Sequence, residues 1–219
     1  MTARNRDFIP ALNQGWLTPL YDWVLRAVMR EEVFKQQLVE QVDPQAGERV
    51  LDLGCGTGTL TLLLRRHQPG AALTGMDVDE KVLEIARQKS LRVGLPAIGW
   101  EKGAAGALPY PDAAFDLVVS SLVIHHLTLA EKRGAFREVR RVLKPGGRFY
   151  LLDFGPPRGW WMRLAALIMV RLEHTAENFA GRLPRLMEEA GLAWVEESGH
   201  WQSVFGTLYL YRAFRVESS

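Results

Sequence analysis

The segment Val50–Leu60 reads VLDLGCGTGTL, and its residue types can hold a ligand through backbone alone. A buried strand delivers the chain to Gly54, Cys55, Gly56, Thr57 and Gly58, and a helix begins at once. Glycines at alternate positions permit a tight turn and let a ligand approach backbone N–H groups. The spacing is G-x-G-x-G, which differs from the G-x-G-x-x-G of dinucleotide-binding folds. Asp52 precedes the loop, and Asp77 ends the next strand, about 20 residues on, where a carboxylate can accept from ribose hydroxyls. His125 and His126 follow the fourth strand, at the carboxyl end of a parallel sheet where ligands bind. Imidazole has the pKa for proton transfer near neutrality, so the pair are candidate general bases. His174 is a further candidate. Cys55 reads as a small packed residue, since nothing marks it as a low-pKa thiolate.

These residues need strands and helices to bring them together, and the chain supplies an alternating pattern. Leu17, Leu20, Tyr21, Val24, Leu25 and Val28 trace one face of a helix, and helical sequence continues to about Gln41. Asp43-Pro44 marks a break. Strands are then expected at Arg49–Leu53, Ala72–Met76, Pro96–Glu101, Phe115–Ser120 and Arg148–Asp153. Helices are expected at Thr57–Arg66, Glu80–Lys89 and Ala130–Leu143, the last stopped by Lys144-Pro145-Gly146-Gly147. Such alternation implies a parallel sheet covered by helices on both faces. After Asp153 come an apolar helical stretch, Arg158–Arg171, a short helix at Gly181–Ala190, and two strands, Gly191–Ser198 and Phe205–Arg215. That last pair is expected to be antiparallel and to close one edge of the sheet.

Composition narrows the function classes. The chain has 219 residues, 47% hydrophobic and 24% charged, which fits one globular unit and excludes disorder. A single cysteine excludes an intrachain disulfide and a cysteine-based zinc site. With 27 Lys+Arg against 25 Asp+Glu, no basic coat for nucleic acid exists. The first residues, MTARNRDFIP, lack the apolar core of a secretory signal, and the longest apolar run, Leu164–Val170, falls short of a span. A cytoplasmic protein is expected, soluble or peripheral to a membrane.

Four ordered motifs together are more specific than the loop alone: Asp52 with the glycines, the strand-terminal Asp77, LPYPDAAFDLVVSSLVIHHL (Leu108–Leu127), and RVLKPGGRFYLLDF (Arg141–Phe154). With them the sequence resembles the class I S-adenosylmethionine-dependent methyltransferases, and most of all the small-molecule branch that includes the ubiquinone/menaquinone methyltransferases. The resemblance runs strongly from Asp43 to Asp153 and loosely over the C-terminal strands. It implies an α/β fold: a Rossmann-like, doubly wound, seven-stranded sheet, mostly parallel with an antiparallel C-terminal strand. A single methyltransferase domain follows, with 1–42 as an N-terminal helical lid, 43–153 as the cofactor-binding core, 154–181 as a helical insert and 182–219 as a C-terminal helix and strand pair.

The resemblance also implies roles. S-adenosylmethionine is the methyl donor, S-adenosylhomocysteine the product, and no metal is involved. Asp52, Gly54 and Gly56 would surround the methionine moiety, with Cys55 and Gly58 completing the loop. Asp77 would bind the ribose diol and Val78 would pack on the adenine. Family members often carry an aspartate that meets the adenine amino group, where this chain has Ala104; backbone groups such as those of Ala105 would then read the adenine edge. Ser120 and Ser121 would face the methyl-bearing sulfur. Tyr21, with Asp22, resembles a pair that often lies over the cofactor.

The acceptor side is apolar. Phe8, Ile9, Trp16, Leu17, Leu20, Tyr21 and Trp23 stand in the first segment. Trp160, Trp161, Met162, Leu164, Leu167, Ile168 and Met169 stand in the insert, with Arg158, Arg163 and Arg171 as its charges between Phe154 and Leu172. Such segments suit a lid over a lipophilic acceptor or a membrane interface. A prenylated quinone precursor is the first expectation, and a phospholipid or a polyketide-like phenol the next. A protein that binds the cofactor without transfer is the alternative that Ala104 permits. DNA amino-methyltransferases carry a [DNS]-P-P-[YFW] motif after the fourth strand; Ser120-Ser121-Leu122-Val123 does not match it. The oligomeric state is left open.

Overall fold

A computed structural model describes residues 31–95, 97–158, 176–203 and 206–217. The elements run α1 (Glu31–Val42), β1 (Arg49–Leu53), α2 (Thr59–His67), β2 (Ala72–Asp77), α3 (Glu80–Arg92), β3 (Gly99–Lys102) and β4 (Phe115–Ser121). A 3-10 turn follows at Ile124–His126. Then come α4 (Leu129–Val142), β5 (Leu143–Phe154), α5 (Ala176–Phe179), α6 (Leu183–Glu189), β6 (Ala193–Gln202) and β7 (Thr207–Phe214). The seven strands form one sheet in the order β3-β2-β1-β4-β5-β7-β6. β1 to β5 pair in parallel. β7 runs antiparallel to β5 and β6. This is the expected seven-stranded, mostly parallel architecture.

The central strands are apolar because both faces are covered. Successive residues point to opposite sides of a strand. Leu51, Val118 and Leu151 join Phe136 and Val139 of α4 and Leu186 and Met187 of α6 in one buried layer. Their neighbours Val50, Val119 and Leu152 join Leu38 and Val39 of α1 and Leu60 and Leu64 of α2 in the other. The edge strand β6 has no such burial, and its exposed Glu196 and Glu197 discourage pairing with another chain.

Local chemistry sets the element ends. Thr128 and Glu131 form a reciprocal capping box that starts α4. Asp79 accepts from Lys81 N at 2.8 Å and starts α3. α2 begins at Thr59, two residues later than expected, because Gly58 occupies the N-cap with φ +76°. β3 starts at Gly99, where register with Thr74 of β2 begins, and not at Pro96. The stop at Lys144–Gly147 does end α4, but the chain passes straight into β5, with Gly146 N donating to Arg215 O at 2.7 Å. The last two strands start and finish within a few residues of the expected bounds. The expected N-terminal helix with Tyr21 and Asp22, the apolar stretch of the insert, and His174 lie outside the described residues.

The strand order carries the functional consequence. The chain leaves β1 toward β2 and β3, then returns to place β4 on the other side of β1. At such a reversal the connections diverge, and the crevice beyond the carboxyl ends of β1 and β4 is open to a ligand.

Candidate active site

The glycine loop leaves β1 into that crevice. Gly54, Gly56 and Gly58 have φ of +73°, +52° and +76°, a left-handed conformation that costs other L-residues about 1–2 kcal/mol each. Gly54 N and Cys55 N both donate to Met76 O, at 2.8 and 3.0 Å, which binds the loop to the end of β2. The loop positions differ in their surroundings. A Cβ on Gly54 would stand 2.3 Å from a Val123 methyl, and one on Gly58 would stand 2.5 Å from the Trp100 ring. Among the described residues, a Cβ on Gly56 would meet nothing within 4 Å, so they leave its face open. A Cβ on Gly75 would likewise stand 2.6 Å from the Trp100 ring, so one indole packs on the loop and on the strand beside it.

Asp77 ties the loop to α3. Its Oδ2 accepts from Gly56 N at 2.9 Å and its Oδ1 from Asp79 N at 3.0 Å. Val78, next to it, is an exposed apolar side chain, 41% accessible. Gly103 N donates to Asp77 O at 2.9 Å, which draws the turn Gly103–Ala107 against the end of β2. Within that turn Ala104 is exposed and Ala105 is partly buried against the core. Asp77, Val78, Ala104 and Ala105 therefore adjoin.

Asp52 lies beneath the loop, 2% exposed, and accepts the Thr61 hydroxyl at 2.5 Å. Burial pushes its pKa up to about 6, with the Asp77 charge adding to the rise; the Thr61 bond and the Lys35 charge oppose it. Cys55 is buried, and burial followed by the Asp52 and Asp77 charges pushes its thiol well above the ordinary range. It is therefore a packed thiol and a poor nucleophile.

At the end of β4, Ser120 is fully buried and donates its hydroxyl to Leu53 O at 2.9 Å, joining the strand to the root of the loop. Ser121 Oγ is buried without a partner among the described residues. Leu122 has φ +60°, a strained turn that delivers Val123 against Gly54. The 3-10 turn then presents two unlike histidines. The His125 side chain is 6% exposed, and its Nδ1 lies 2.8 Å from Asp153 Oδ1. His126 is exposed, and its ring centroid lies 4.0 Å from that of His125. Even so, the protein crowding the His126 ring, and then the His125 charge, push its pKa down to about 4.

Burial alone would raise Asp153, but the His125 charge and hydrogen bond hold it below its usual value. Asp153 was not among the residues expected from sequence. The available signal was the one that marked Asp52 and Asp77: an aspartate closing an apolar strand. Trp100 and Val123, which shape the loop, gave no such signal.

A methyltransferase domain model matches residues 51–151. An uncharacterised methyltransferase, sll0829, of Synechocystis sp. is 34% identical over 188 residues, covering 81% of this chain and 85% of its own. The chain belongs to the class I S-adenosylmethionine-dependent methyltransferases. A demethylmenaquinone methyltransferase of Thermus thermophilus is 38% identical over 143 residues, 64% of each chain. The crystal structure of the YcgJ protein of Bacillus subtilis superposes with a TM-score of 0.71 at 21% identity, over 84% of this methyltransferase and 99% of that chain. The loop, Asp77 and both histidines of the methyltransferase fall inside the matched domain, whereas Asp153 lies just beyond it.

Proposed function

We propose that this methyltransferase transfers the methyl group of S-adenosylmethionine to a small lipophilic acceptor of the quinone-precursor kind. The observation that carries the reading is a convergence at one end of the sheet. An open glycine face, a ribose-competent carboxylate and a histidine pair stand together past the carboxyl ends of β1, β2 and β4. The demethylmenaquinone methyltransferase named above supports the acceptor class.

The residues fit the donor. The space over Gly56 admits a ligand to the backbone, and Asp77 keeps lone pairs beyond the two it gives to Gly56 and Asp79. Asp52 supports the methionine end from below, with Gly54 and Gly58 setting the loop's path. Val78 offers an apolar surface to the adenine, and with Ala104 lacking a carboxylate, backbone groups at Ala105 read its edge. Ser120 holds β4 to the loop at the wall nearest the sulfur. Tyr21 is assigned, on sequence, to cover the donor. The donor's sulfonium supplies an electrophilic methyl group whose sulfur departs neutral.

The chain's own task is to align the acceptor, exclude water and remove a proton when a phenol or carbon acid is methylated. Alignment contributes roughly 7–11 kcal/mol in favourable cases. His125 and His126 are the groups placed to take that proton. No described helix is long and apolar enough to cross a membrane. We place the enzyme in the cytoplasm, with residues 43–153 as the cofactor-binding core. The Trp-rich segments within 1–42 and 154–181 meet the lipophilic acceptor, as a lid or at a membrane surface.

The test is transfer of labelled methyl from S-adenosylmethionine to a panel holding a reduced short-chain demethylmenaquinone, phosphatidylethanolamine and a simple phenol. Label in the quinone supports the reading. Label confined to the phospholipid overturns the acceptor class.

A further inference from the structure

Behind the histidine pair lies a chain of polar groups that the transfer step does not itself use. Asp153, Asn178 and Lys132 are each 0% exposed, and His125 is 5%. They come from β5, α5, α4 and the 3-10 turn, and sequence separation hides the association. Their polar atoms meet one another. Asp153 Oδ1 accepts from Phe154 N at 2.7 Å and from Asn178 Nδ2 at 3.3 Å, besides facing His125 Nδ1. Its Oδ2 accepts from His125 N at 3.2 Å. Asn178 Nδ2 also donates to Phe154 O at 3.2 Å, and its Oδ1 accepts from Lys132 Nζ at 2.8 Å. Lys132 Nζ stands 3.6 Å from Glu177 Oε2.

These contacts fix the protons between Lys132 and His125. Lys132 is donor-only, so Asn178 must turn its oxygen to the lysine and its NH₂ to Asp153. The aspartate, held ionised, is acceptor-only, so His125 must direct an Nδ1 proton to it. A fully satisfied buried network is rigid, whereas a partly satisfied one is costly. The His125 ring is therefore held in one orientation, its centroid 5.0 Å from that of Phe154 in a near-perpendicular pair and 4.0 Å from that of His126.

We infer that Asp153, Asn178 and Lys132 are positioning residues: they lock the Nδ1–H tautomer and ring plane of His125, which in turn sets His126 toward the acceptor. The inference rests on the reading that the histidine pair handles the acceptor's proton. Proton exchange at His125 then runs through Nε2.

The experiment is nitrogen-15 histidine NMR on the whole protein with S-adenosylhomocysteine, paired with kinetics of Asn178→Ala, Asp153→Asn, His125→Gln and His126→Gln on the reduced demethylmenaquinone. In the wild type, His125 is expected to carry its proton on Nδ1, slow to exchange. Asn178→Ala, which keeps the His125–Asp153 pair and is the milder change, should shift the resonances of both histidines. It should also lower kcat by about 10- to 100-fold while the Kd for S-adenosylmethionine stays within about twofold. Asp153→Asn should remove the protected Nδ1 proton. A wild-type His125 with bare Nδ1 overturns the inference without any variant. So does Asn178→Ala with unchanged histidine resonances and unchanged kcat. If His126→Gln and His125→Gln keep full kcat while Asn178→Ala still moves the His125 signal, the proton-transfer reading fails and the locked tautomer stands.

Discussion

If Asp52 meets the methionine end of the donor as proposed, binding of S-adenosylmethionine is expected to depend on pH. It sits under the glycine loop at 2% exposure with a pKa pushed up to about 6, because burial outweighs the Thr61 bond and Lys35. Raising an acid's folded pKa above its model value of 3.8 favours the protonated form. The apo protein therefore loses stability from this group as pH rises from about 4 through 6, by about 3 kcal/mol for the whole shift. The ligand's methionine end carries an ammonium, which favours an ionised Asp52. If the ionised form binds, only about a tenth of the protein is competent at pH 5, against nearly all at pH 7.5. The Kd should then weaken about tenfold, or 1.4 kcal/mol, over that range. His126 titrates near 4 and stays neutral throughout, so it does not imitate the effect. Calorimetric titration at pH 5, 6 and 7.5 checks this, with Asp52→Asn as control: the variant's Kd should be flat. A wild-type Kd constant across the series, or an Asp52→Asn Kd that keeps the wild-type slope, would rule out Asp52 as the titrating group.

Three further perturbations separate the parts of the site. Gly56→Val puts a branched side chain at φ +52° into open space, so cofactor binding should vanish while circular dichroism shows a folded chain; an unchanged Kd would remove the loop from the donor site. Gly54→Ala instead drives a methyl into Val123, and overpacking of about 1–3 kcal/mol should show as a lowered Tm in the apo protein. Asp77→Ala removes a carboxylate that bridges Gly56 N and Asp79 N. Charge-assisted hydrogen bonds are worth about 1.5–3 kcal/mol each, so the Kd for S-adenosylmethionine should rise roughly 10- to 100-fold with acceptor KM unchanged. An acceptor KM that moves in step would place Asp77 elsewhere.

The sheet was legible because its central strands are buried on both faces and so appear as apolar runs such as Phe115–Ser121. The loop was legible because glycines at 54, 56 and 58 answer to a backbone conformation that side chains resist. Boundaries were less so. α2 starts late because Gly58 serves as its N-cap, and β3 depends on pairing with β2, which no local signal encodes. What sequence hides most is partnership over distance. His125 and Asp153 are 28 residues apart, and Lys132 and Asn178 are 46 apart. Asp153, Lys132 and Asn178 each pass alone for an ordinary polar residue. Only the packing of α4, α5 and β5 shows that they form one buried chain.

Methyl transfer to a quinone-type acceptor can be read out in one assay. Purified protein is incubated with methyl-labelled S-adenosylmethionine and reduced short-chain demethylmenaquinone, and the organic phase is separated and identified. Label is expected on the quinone ring, with S-adenosylhomocysteine formed in equal amount and both lost in Gly56→Val. Tight binding of S-adenosylmethionine with no label in the quinone fraction would contradict it.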